Sequence, residues 1–334
     1  MTQQKIAVIG CGLWGRNIVR NFYNLNVLEM VCDIDEDNIA KIREMYPELK
    51  ITRDFNDIIN NPEITSVAVV TPSHTHFKMV KAMLEAGKNV YVEKPISTVT
   101  EEARALKDLA DSKGLVLMVG HLLLYHPAVN RLKMLIEDGV LGDIVYAQSD
   151  RLNVNYFKND RSVMWDLAPH DVSMMSYVIG KEPVRVISAL GSSSDRNDIM
   201  DITHLGIEFE GGVIGHISDS WITPRKHVQL LVRGTKATAI LDDTLPEHKL
   251  TVYDNFVADN TKNINLDYLE IEPLKLECQH FISCCETGKK ARSDGDNGFM
   301  VTKVLEEAEK VMLGDRAKKL DEVDFGLSRV KQHL

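Results

Sequence analysis

The sequence has no excess of basic charge. Its 39 lysines and arginines stand against 49 aspartates and glutamates, which gives a net charge of −10. Proteins that bind nucleic acids or anionic membranes usually present a basic surface, so we expect neither partner here. A local basic site for a phosphorylated substrate is compatible with this balance.

Long apolar runs and paired cysteines are missing as well. No run approaches the roughly 18 apolar residues of a membrane span. The opening MTQQKIAVIG lacks the charged and long apolar regions of a signal peptide. The five cysteines form an odd set without a CxxC pair, which is typical of a reducing compartment. We therefore expect a cytoplasmic protein.

The chain of 334 residues suits two domains. In its first third, short apolar runs alternate with helical patterns, and these runs lie at 5–9, 27–32, 64–70, 89–93 and 115–120. The alternation is typical of a parallel sheet with helices on both faces. It predicts an α/β fold that begins with a doubly wound domain over residues 1–121.

The remainder, residues 122–334, has a different pattern. A helix at about 127–138 and a strand at 143–150 precede a helix that is expected to begin near Asp166. After Pro183 come six β runs: VRVISAL, ITHLGIEF, GVIGHISDSW, HVQLLVRG, TAILDD and LTVYD. Strands in series predict a large, mostly antiparallel open sheet. The last helix, at about 296–313, is expected to pack back on the first domain.

A glycine turn, GxGxxG, follows the first predicted strand and opens a helix. Gly10 permits the tight turn, Gly12 lets the backbone approach a pyrophosphate, and Gly15 allows close helix–strand packing. The helix N-terminus adds amide donors for that phosphate. With Leu13 and Trp14, these glycines form the predicted cofactor-binding turn.

Asp33 ends the second predicted strand, about 20 residues later, where an acid binds the adenosine ribose hydroxyls. The residues that follow are Ile34, Asp35 and Glu36, so a 2′-phosphate would be repelled. The sequence therefore favours NAD over NADP. The alternative is a glycine turn with an aspartate that caps a helix.

Glu93-Lys94-Pro95 follows a predicted parallel strand at its carboxyl end, where ligands of such sheets bind. Lys94 can donate to a substrate hydroxyl and stabilise its alkoxide, and Glu93 can tune it. Taken alone, the motif is more typical of a lysine in a surface loop beside a solvated glutamate.

Trp165–Asp171 (WDLAPHD) is expected to open a helix, with Pro169 in the first turn, where it is tolerated. Asp166 and His170 are four residues apart and can lie on one side of that helix. A histidine can accept an alcohol proton, and a carboxylate can orient it. Equally, Asp166 can be an N-cap and His170 can satisfy a hydrogen bond in the core.

Another polar segment, Thr71–His76, follows the apolar run 64–70 at the same sheet edge. Pro72 fixes a turn, and Ser73 or Thr75 can cap the next helix. His74 and His76 are more typical of a cap with a structural histidine than of a metal site. No other cluster has zinc spacing, so we predict no metal.

Taken in order, these motifs resemble the Gfo/Idh/MocA family of NAD(P)-dependent sugar and polyol oxidoreductases. The set consists of Gly10–Gly15, Asp33, Thr71-Pro72 with His76, Glu93-Lys94-Pro95, Gly120-His121 and Trp165-Asp166 with His170-Asp171. The resemblance covers essentially the whole chain. It implies a Rossmann domain followed by an α/β domain whose open sheet often forms dimer or tetramer contacts.

The resemblance also implies roles for residues. Lys94 would be catalytic, and Asp166 and His170 would line the sugar, with His170 as acid/base, although Lys94 shares or takes that role in some members. The implied cofactor contacts include Thr71, Pro72, His76, Glu93, Lys94 and Trp165. The implied substrate contacts are Lys94, Tyr125, Arg161, Asp166 and His170.

The WDLAPHD form resembles a branch that acts on nucleotide-activated sugars. UDP-N-acetylglucosamine 3-dehydrogenases make a 3-keto sugar, which an aminotransferase converts to a 3-amino sugar. After Gly120-His121, however, the chain reads Leu-Leu-Leu-Tyr-His, where many members have polar or arginine residues. Tyr125 and His126 are still expected near the substrate.

Other functions stay open on these motifs. They are a dehydrogenase of a free sugar or a cyclic polyol such as inositol, a ketoreductase of a dTDP-ketosugar, and a non-catalytic dinucleotide-binding regulator. Basic residues that could bind a UDP pyrophosphate by charge-assisted hydrogen bonds are Arg151, Lys158, Arg161, Arg225 and Lys226.

Overall fold

The computed structural model describes residues 4–154, 161–194, 199–255, 261–263 and 271–314. Two sheets organise this part of the chain, one with six strands and one with eight. Among the described residues, no helix is both long and apolar enough to cross a membrane.

The first sheet is parallel, in the order β3-β2-β1-β4-β5-β6. Its strands are β1 (Ile6–Ile9), β2 (Leu28–Cys32), β3 (Lys50–Thr52), β4 (Ser66–Val69), β5 (Asn89–Val92) and β6 (Leu117–Val119). The helices between them are α1 (Gly15–Asn24), α2 (Glu36–Met45), α3 (Asn56–Ile59), α4 (His76–Glu85) and α5 (Thr100–Lys113).

The doubly wound arrangement is confirmed. Every residue of β1 and β4 is buried, because helices cover both faces of a parallel sheet. The strand order reverses between β1 and β4, and this point opens a crevice at the carboxyl ends of the strands. Asp35 caps α2, since its side chain accepts hydrogen bonds from the amides of Asp37 and Asn38.

The second sheet has the order β14-β13-β12-β11-β7-β10-β9-β8, and only β7 and β10 pair in parallel among its described strands. Its strands are β7 (Ile144–Val154), β8 (Pro183–Ser192), β9 (Ile202–Phe209), β10 (Val213–Ser220), β11 (Ile222–Gly234), β12 (Ala237–Asp242), β13 (Leu250–Asp254) and β14 (Thr261–Asn263). The helices of this part are α6 (Pro127–Glu137), α7 (Val163–Ile179), α8 (Pro273–Thr287) and α9 (Gly295–Leu313). The predicted antiparallel sheet is confirmed.

The start of α7 differs from the prediction. The helix begins at Val163, three residues before Asp166, and Ser162 occupies the N-cap position. Asp166 is therefore not the N-cap. Pro169 lies inside the helix rather than in its first turn, so the carbonyl of Trp165 loses its usual amide partner there.

Two late helices pack against the first sheet. Phe281 of α8 lies in the core beneath that sheet, with its ring 6.2 Å from that of Phe22. From α9, Thr302 donates to the carbonyl of Ser97 at 3.1 Å. Close approach requires glycine at Gly298, since a Cβ there would lie 2.7 Å from a methyl group of Val119.

A buried ion pair ties α7 to the second sheet. Arg151 of β7 makes a two-pronged contact with Asp171, at 3.0 Å and 2.8 Å, and Ser149 donates to the same carboxylate. Asp171 is fully buried. The expectation that Arg151 binds phosphate is therefore wrong, because its guanidinium neutralises an interior carboxylate.

Removal of this arginine should destabilise the protein far more than removal of an exposed one. Arg151→Met leaves Asp171 as an uncompensated buried charge and should lower the free energy of unfolding by about 3–5 kcal/mol. The matched Arg185→Met breaks the exposed pair with Glu208 and should cost less than about 1 kcal/mol. Urea unfolding followed by circular dichroism measures both, and equal losses would contradict this account.

Candidate active site

At two of the three glycines in the turn after β1, a larger residue would clash with the backbone. Gly10 has a φ of +93°, and a Cβ there would lie 2.6 Å from the carbonyl oxygen of Val70. A Cβ on Gly15 would lie 2.2 Å from the carbonyl oxygen of Gly10. Gly12 differs, since its nearest neighbour would be the Asn38 side chain at 4.0 Å. Space is thus kept open at Gly12, on the side of the turn that faces the crevice.

Asp33 lies at the end of β2 with its carboxylate fixed beside this turn. It accepts from the amide of Cys11 at 2.7 Å, from the amide of Asp35 at 3.0 Å and from Asn38 Nδ2 at 3.4 Å. Burial would raise the pKa of Asp33, but these hydrogen bonds outweigh it and lower the pKa. The group is held as an anion where a ribose would lie.

A cavity of about 600 Å³ opens next to the turn and Asp33. Its lining includes most of the predicted cofactor residues, namely Gly10, Gly12, Leu13, Trp14, Gly15, Asp33, Thr71 and Pro72. The open space at Gly12, the helix N-terminus and the fixed anion suit the pyrophosphate and ribose of a dinucleotide. A bound nicotinamide dinucleotide would supply the hydride acceptor or donor at this edge.

Arg53 also lines this cavity, and the sequence motifs gave no reason to select it. It follows β3, donates to the carbonyl of Ile34 at 3.2 Å and pairs with Glu36. Residues that follow neighbouring parallel strands meet at one sheet edge. The position of Arg53 after a strand next to β2 is therefore the feature that could have identified it.

Glu93 is buried rather than solvated, which excludes the surface-loop alternative for this motif. It accepts from Trp14 Nε1 at 2.6 Å and from Tyr91 Oη at 2.9 Å. Burial raises its pKa against the opposing effect of these donors and of the Lys94 charge. The side chain thus ties the glycine turn to the end of β5.

Lys94 turns the other way, towards α7. Its Nζ lies 2.6 Å from the carbonyl oxygen of Asp166 and 3.2 Å from Asp166 Oδ1. His170 is half-buried one turn further along the same helix. An ammonium, a carboxylate and an imidazole thus come from the ends of β5 and α7, and together they can stabilise an alkoxide and move its proton.

His121, which belongs to the family pattern through Gly120-His121, lies near Lys94. Its ring is 1% exposed, and neither nitrogen has a hydrogen-bond partner among the described residues. Burial and the charge of Lys94 lower its pKa to about 3. The imidazole is therefore neutral.

Three residues that were expected to contact the cofactor or the substrate have other surroundings in the structure. His76 does not line the cofactor cavity; its ring nitrogens lie 2.8 Å from the carbonyl oxygens of Pro95 and Thr71. The indole of Trp165 is buried in the core of the second part and donates to Glu309 at 3.0 Å. Tyr125 is 3% exposed, with its ring in the core beneath the first sheet.

The remaining polar candidates have different surroundings. The charge of Arg161 adds to burial in lowering the pKa of His76, so this arginine lies near His76. His126 caps α6, since its Nδ1 accepts from the amide of Ala128 at 3.2 Å. Arg225 and Lys226 are exposed on β11. Lys158 lies outside the described residues.

Among the residues that the structure describes, no group of three or more His, Cys, Asp or Glu side chains could hold a metal ion. The two histidines that come nearest to a metal motif in the sequence have different surroundings, because His74 is exposed and His76 is buried.

The glycine geometry predicts two different mutational effects. Gly15→Ala should impair folding, because its Cβ would lie 2.2 Å from a backbone oxygen. Gly12→Ala should fold with a thermal midpoint near that of the original chain but bind NADH about tenfold or more weakly, since the methyl group enters the open space. Thermal unfolding and NADH fluorescence titration measure these effects. Normal NADH affinity in Gly12→Ala would contradict the site.

Comparison with known proteins gives relatives that span most of the chain. UDP-N-acetylglucosamine 3-dehydrogenase from Acidithiobacillus ferrooxidans is 28% identical over 90% of this chain and 95% of its own. The NAD⁺-dependent scyllo-inositol 2-dehydrogenase of Bacillus subtilis is 26% identical over 86% of this chain and 87% of its own.

Solved structures share the fold. That of the Acidithiobacillus ferrooxidans UDP-N-acetylglucosamine 3-dehydrogenase superposes with a TM-score of 0.82 at 23% identity, covering 93% of this chain and 98% of the other. Two family models match in order: the oxidoreductase family with an NAD-binding Rossmann fold over residues 4–121, and the GFO/IDH/MocA C-terminal domain over residues 129–240. Together they span more than half of the sequence, so the chain belongs to the Gfo/Idh/MocA family of NAD-binding oxidoreductases.

Proposed function

We propose that this protein oxidises the C3 hydroxyl of a nucleotide-activated sugar, UDP-N-acetylglucosamine, to a 3-keto sugar with NAD⁺. The observation that carries the chemistry is the contact of Lys94 with Asp166 at the carboxyl edge of β5, next to Glu93, which binds Trp14 of the dinucleotide cavity. The substrate rests on the 28% identical relative that bears this activity in its name.

Each of the three polar side chains has a role in the proposed reaction. Lys94 donates to the reacting oxygen and stabilises the alkoxide as hydride leaves the carbon. His170 accepts the hydroxyl proton, because an imidazole can take up a proton near neutral pH. Asp166 fixes the position of the ammonium through its side chain and its carbonyl oxygen. Hydride transfer itself is the chemistry of the bound nicotinamide.

Arg161 is the basic residue best suited to the nucleotide part of the substrate. Its charge acts on His76, which joins the segment after β4 to Pro95 next to the lysine. An arginine at this edge can form charge-assisted hydrogen bonds with a pyrophosphate.

The second candidate function is oxidation of a free cyclic polyol. It is favoured by the inositol 2-dehydrogenase relative, whose identity of 26% is close to that of the nucleotide-sugar enzyme. The proposed chemistry at Lys94, Asp166 and His170 is the same in both cases, and only the group that carries the hydroxyl differs. Reduction of a dTDP-ketosugar and a purely regulatory role have no such support.

One partner follows from the nucleotide-sugar proposal. Conversion of a 3-keto sugar to an amino sugar requires an aminotransferase, and such an enzyme would consume the product.

A second partner is another copy of this chain. The open face of the second sheet carries exposed apolar side chains, such as Ile187 and Leu190, which fits a homo-oligomer of two or four chains.

A substrate panel tests the proposal. NADH formation is followed at 340 nm with UDP-N-acetylglucosamine, UDP-glucose and myo-inositol, each with an aminotransferase and glutamate to remove a keto product. Activity that requires the acetylated UDP-sugar supports the proposal. Activity with inositol alone assigns the protein to the second candidate, and no reaction with any nucleotide sugar overturns the first.

The lysine assignment predicts a loss of turnover without a loss of cofactor. With the alcohol identified by the panel, Lys94→Ala should lower kcat by about 10²–10³-fold, because a donor to the developing alkoxide is lost. NADH affinity should stay within about twofold. Lys81→Ala, at an exposed lysine paired with Glu85, serves as the control and should leave kcat unchanged. Near-normal turnover of Lys94→Ala would refute the assignment.

A further inference from the structure

Two buried glutamates approach one tyrosine hydroxyl behind the lysine motif. Tyr91 Oη lies 2.9 Å from Glu93 Oε1 and 3.3 Å from Glu277 Oε2. Tyr91 and Glu277 are 0% exposed and Glu93 is 9% exposed. Since Glu277 belongs to α8 and Tyr91 to β5, these contacts join a late helix to the strand that carries the site.

The number of hydrogens available for hydrogen bonding decides the total charge of the two glutamates and the tyrosine. A tyrosine hydroxyl has one hydrogen and can donate it fully to one acceptor. With both carboxyl groups ionised, one contact would bring oxygen lone pairs together, and two buried negative charges would face each other without water. One of the two carboxyl groups must therefore hold a proton and donate it to the hydroxyl.

The donors around each carboxyl group identify which one holds it. Glu93 has the surroundings of an anion: Trp14 Nε1 donates to it at 2.6 Å and the Lys94 amide at 3.2 Å. Glu277 has no comparable donors among the described residues, where its Oε1 lacks any hydrogen-bond partner. Burial and the charge of Glu93 raise the pKa of Glu277 well above its ordinary value.

We propose that Glu277 is a positioning residue that carries a proton and donates it to Tyr91, which donates in turn to Glu93 and so fixes the hydrogen bond of Glu93 with Trp14. Trp14 lines the cofactor cavity, so this proton holds the glycine turn in its binding conformation. The inference concerns the hold on the dinucleotide and does not depend on which alcohol is oxidised.

The packing at Gly120 supports this hydrogen-bond network independently. Gly120 directly follows β6, the neighbour of β5, and a Cβ there would lie 2.6 Å from Tyr91 Oη and 2.9 Å from Glu93 Oε1. Glycine at this position keeps the space that the two polar groups occupy.

Among the described residues, no cation forms a hydrogen bond or an ion pair with Glu277. The titratable groups around it are Tyr91, Glu93, Tyr125 and Cys278, with the exposed Arg20–Glu272 pair at the start of α8 and with Arg292 and His280 against the Tyr125 ring. Arg20 has its own carboxylate partner, and Arg292 donates to the carbonyl of Leu124 and to Asn130. The neutral form of Glu277 is therefore the one that the surroundings favour.

Three substitutions test the donor role through NADH binding. Glu277→Gln keeps a neutral N–H donor and should leave the NADH Kd within about twofold of the original value. Glu277→Met keeps the bulk but loses the donor, and Tyr91→Phe breaks the chain with the ring retained; each should raise the Kd by roughly fivefold to tenfold. Glu286→Gln, at an exposed glutamate on the same helix, is the matched control.

Stability against pH gives a second readout. Because the pKa of Glu277 is raised in the folded protein, its stabilising contribution is fully present below the ordinary glutamate pKa and is lost as pH rises towards the folded value. Each pH unit in that window should increase the unfolding constant of the original chain by up to about tenfold relative to Glu277→Gln. The thermal midpoint of the original chain should therefore fall relative to that of Glu277→Gln as the pH rises from 5 to 8.

The outcomes separate the proposal from simple packing. Equal NADH affinity in Glu277→Gln and Glu277→Met, or a midpoint difference that stays constant from pH 5 to pH 8, would overturn it. Should Glu277→Met fail to fold, normal NADH binding by Tyr91→Phe would overturn it equally. A negative substrate panel leaves this inference untouched, because NADH binding and unfolding need no sugar.

Discussion

At the end of β5, two consecutive side chains point in opposite directions, and the site depends on this divergence. Successive residues of an extended chain alternate between the faces of a sheet. Glu93 enters the interior, where Trp14 of the glycine turn and Tyr91 hold it. Lys94 reaches out to Asp166 of α7, 72 residues away in the sequence. A shift of this strand end would therefore disturb the cofactor turn and the polar site at the same time.

Buried charge is balanced by two different means in this molecule. Where a cation is available the carboxylate is paired, as with Arg151 and Asp171 beneath α7. Where the cation is shared or absent, the pKa of the carboxyl group is raised instead: burial and the charge of Asp171 outweigh the charge of Arg151 and raise the pKa of Asp219 well above its ordinary value, and burial and the charge of Glu93 do the same for Glu277. Both outcomes follow from the cost of an isolated charge away from water. The fully buried acids thus act as structural parts of the molecule.

The fold alone does not decide which alcohol reacts. Relatives of similar identity are named for oxidation of a nucleotide sugar and of an inositol, and one scaffold commonly hosts several substrates. In this chain the apolar run after His121 turns Tyr125 into the core beneath the first sheet.

Features set by near neighbours in the chain could be predicted from the sequence. The alternation of strands and helices, the cap at Asp35 and the glycine turn beside Asp33 depend on hydrophobic period, local hydrogen bonds and backbone sterics, all of which a short segment encodes. The NAD-binding domain was predictable on the same grounds. The second sheet followed from its serial β runs, although its strand order and the parallel pair of β7 and β10 did not.

Side-chain direction was decided by partners far away in the sequence. The direction of the Trp165 side chain is set by its hydrogen bond to Glu309, and that of Arg151 is set by the buried Asp171. His76 joins two backbone carbonyls instead of lining the cavity. Burial removes water as a partner, so a polar group must turn to whatever donor, acceptor or charge the tertiary structure provides. The sequence by itself therefore determined the local frame and the chemistry available at the sheet edge. Only the tertiary structure decided which of those groups meet.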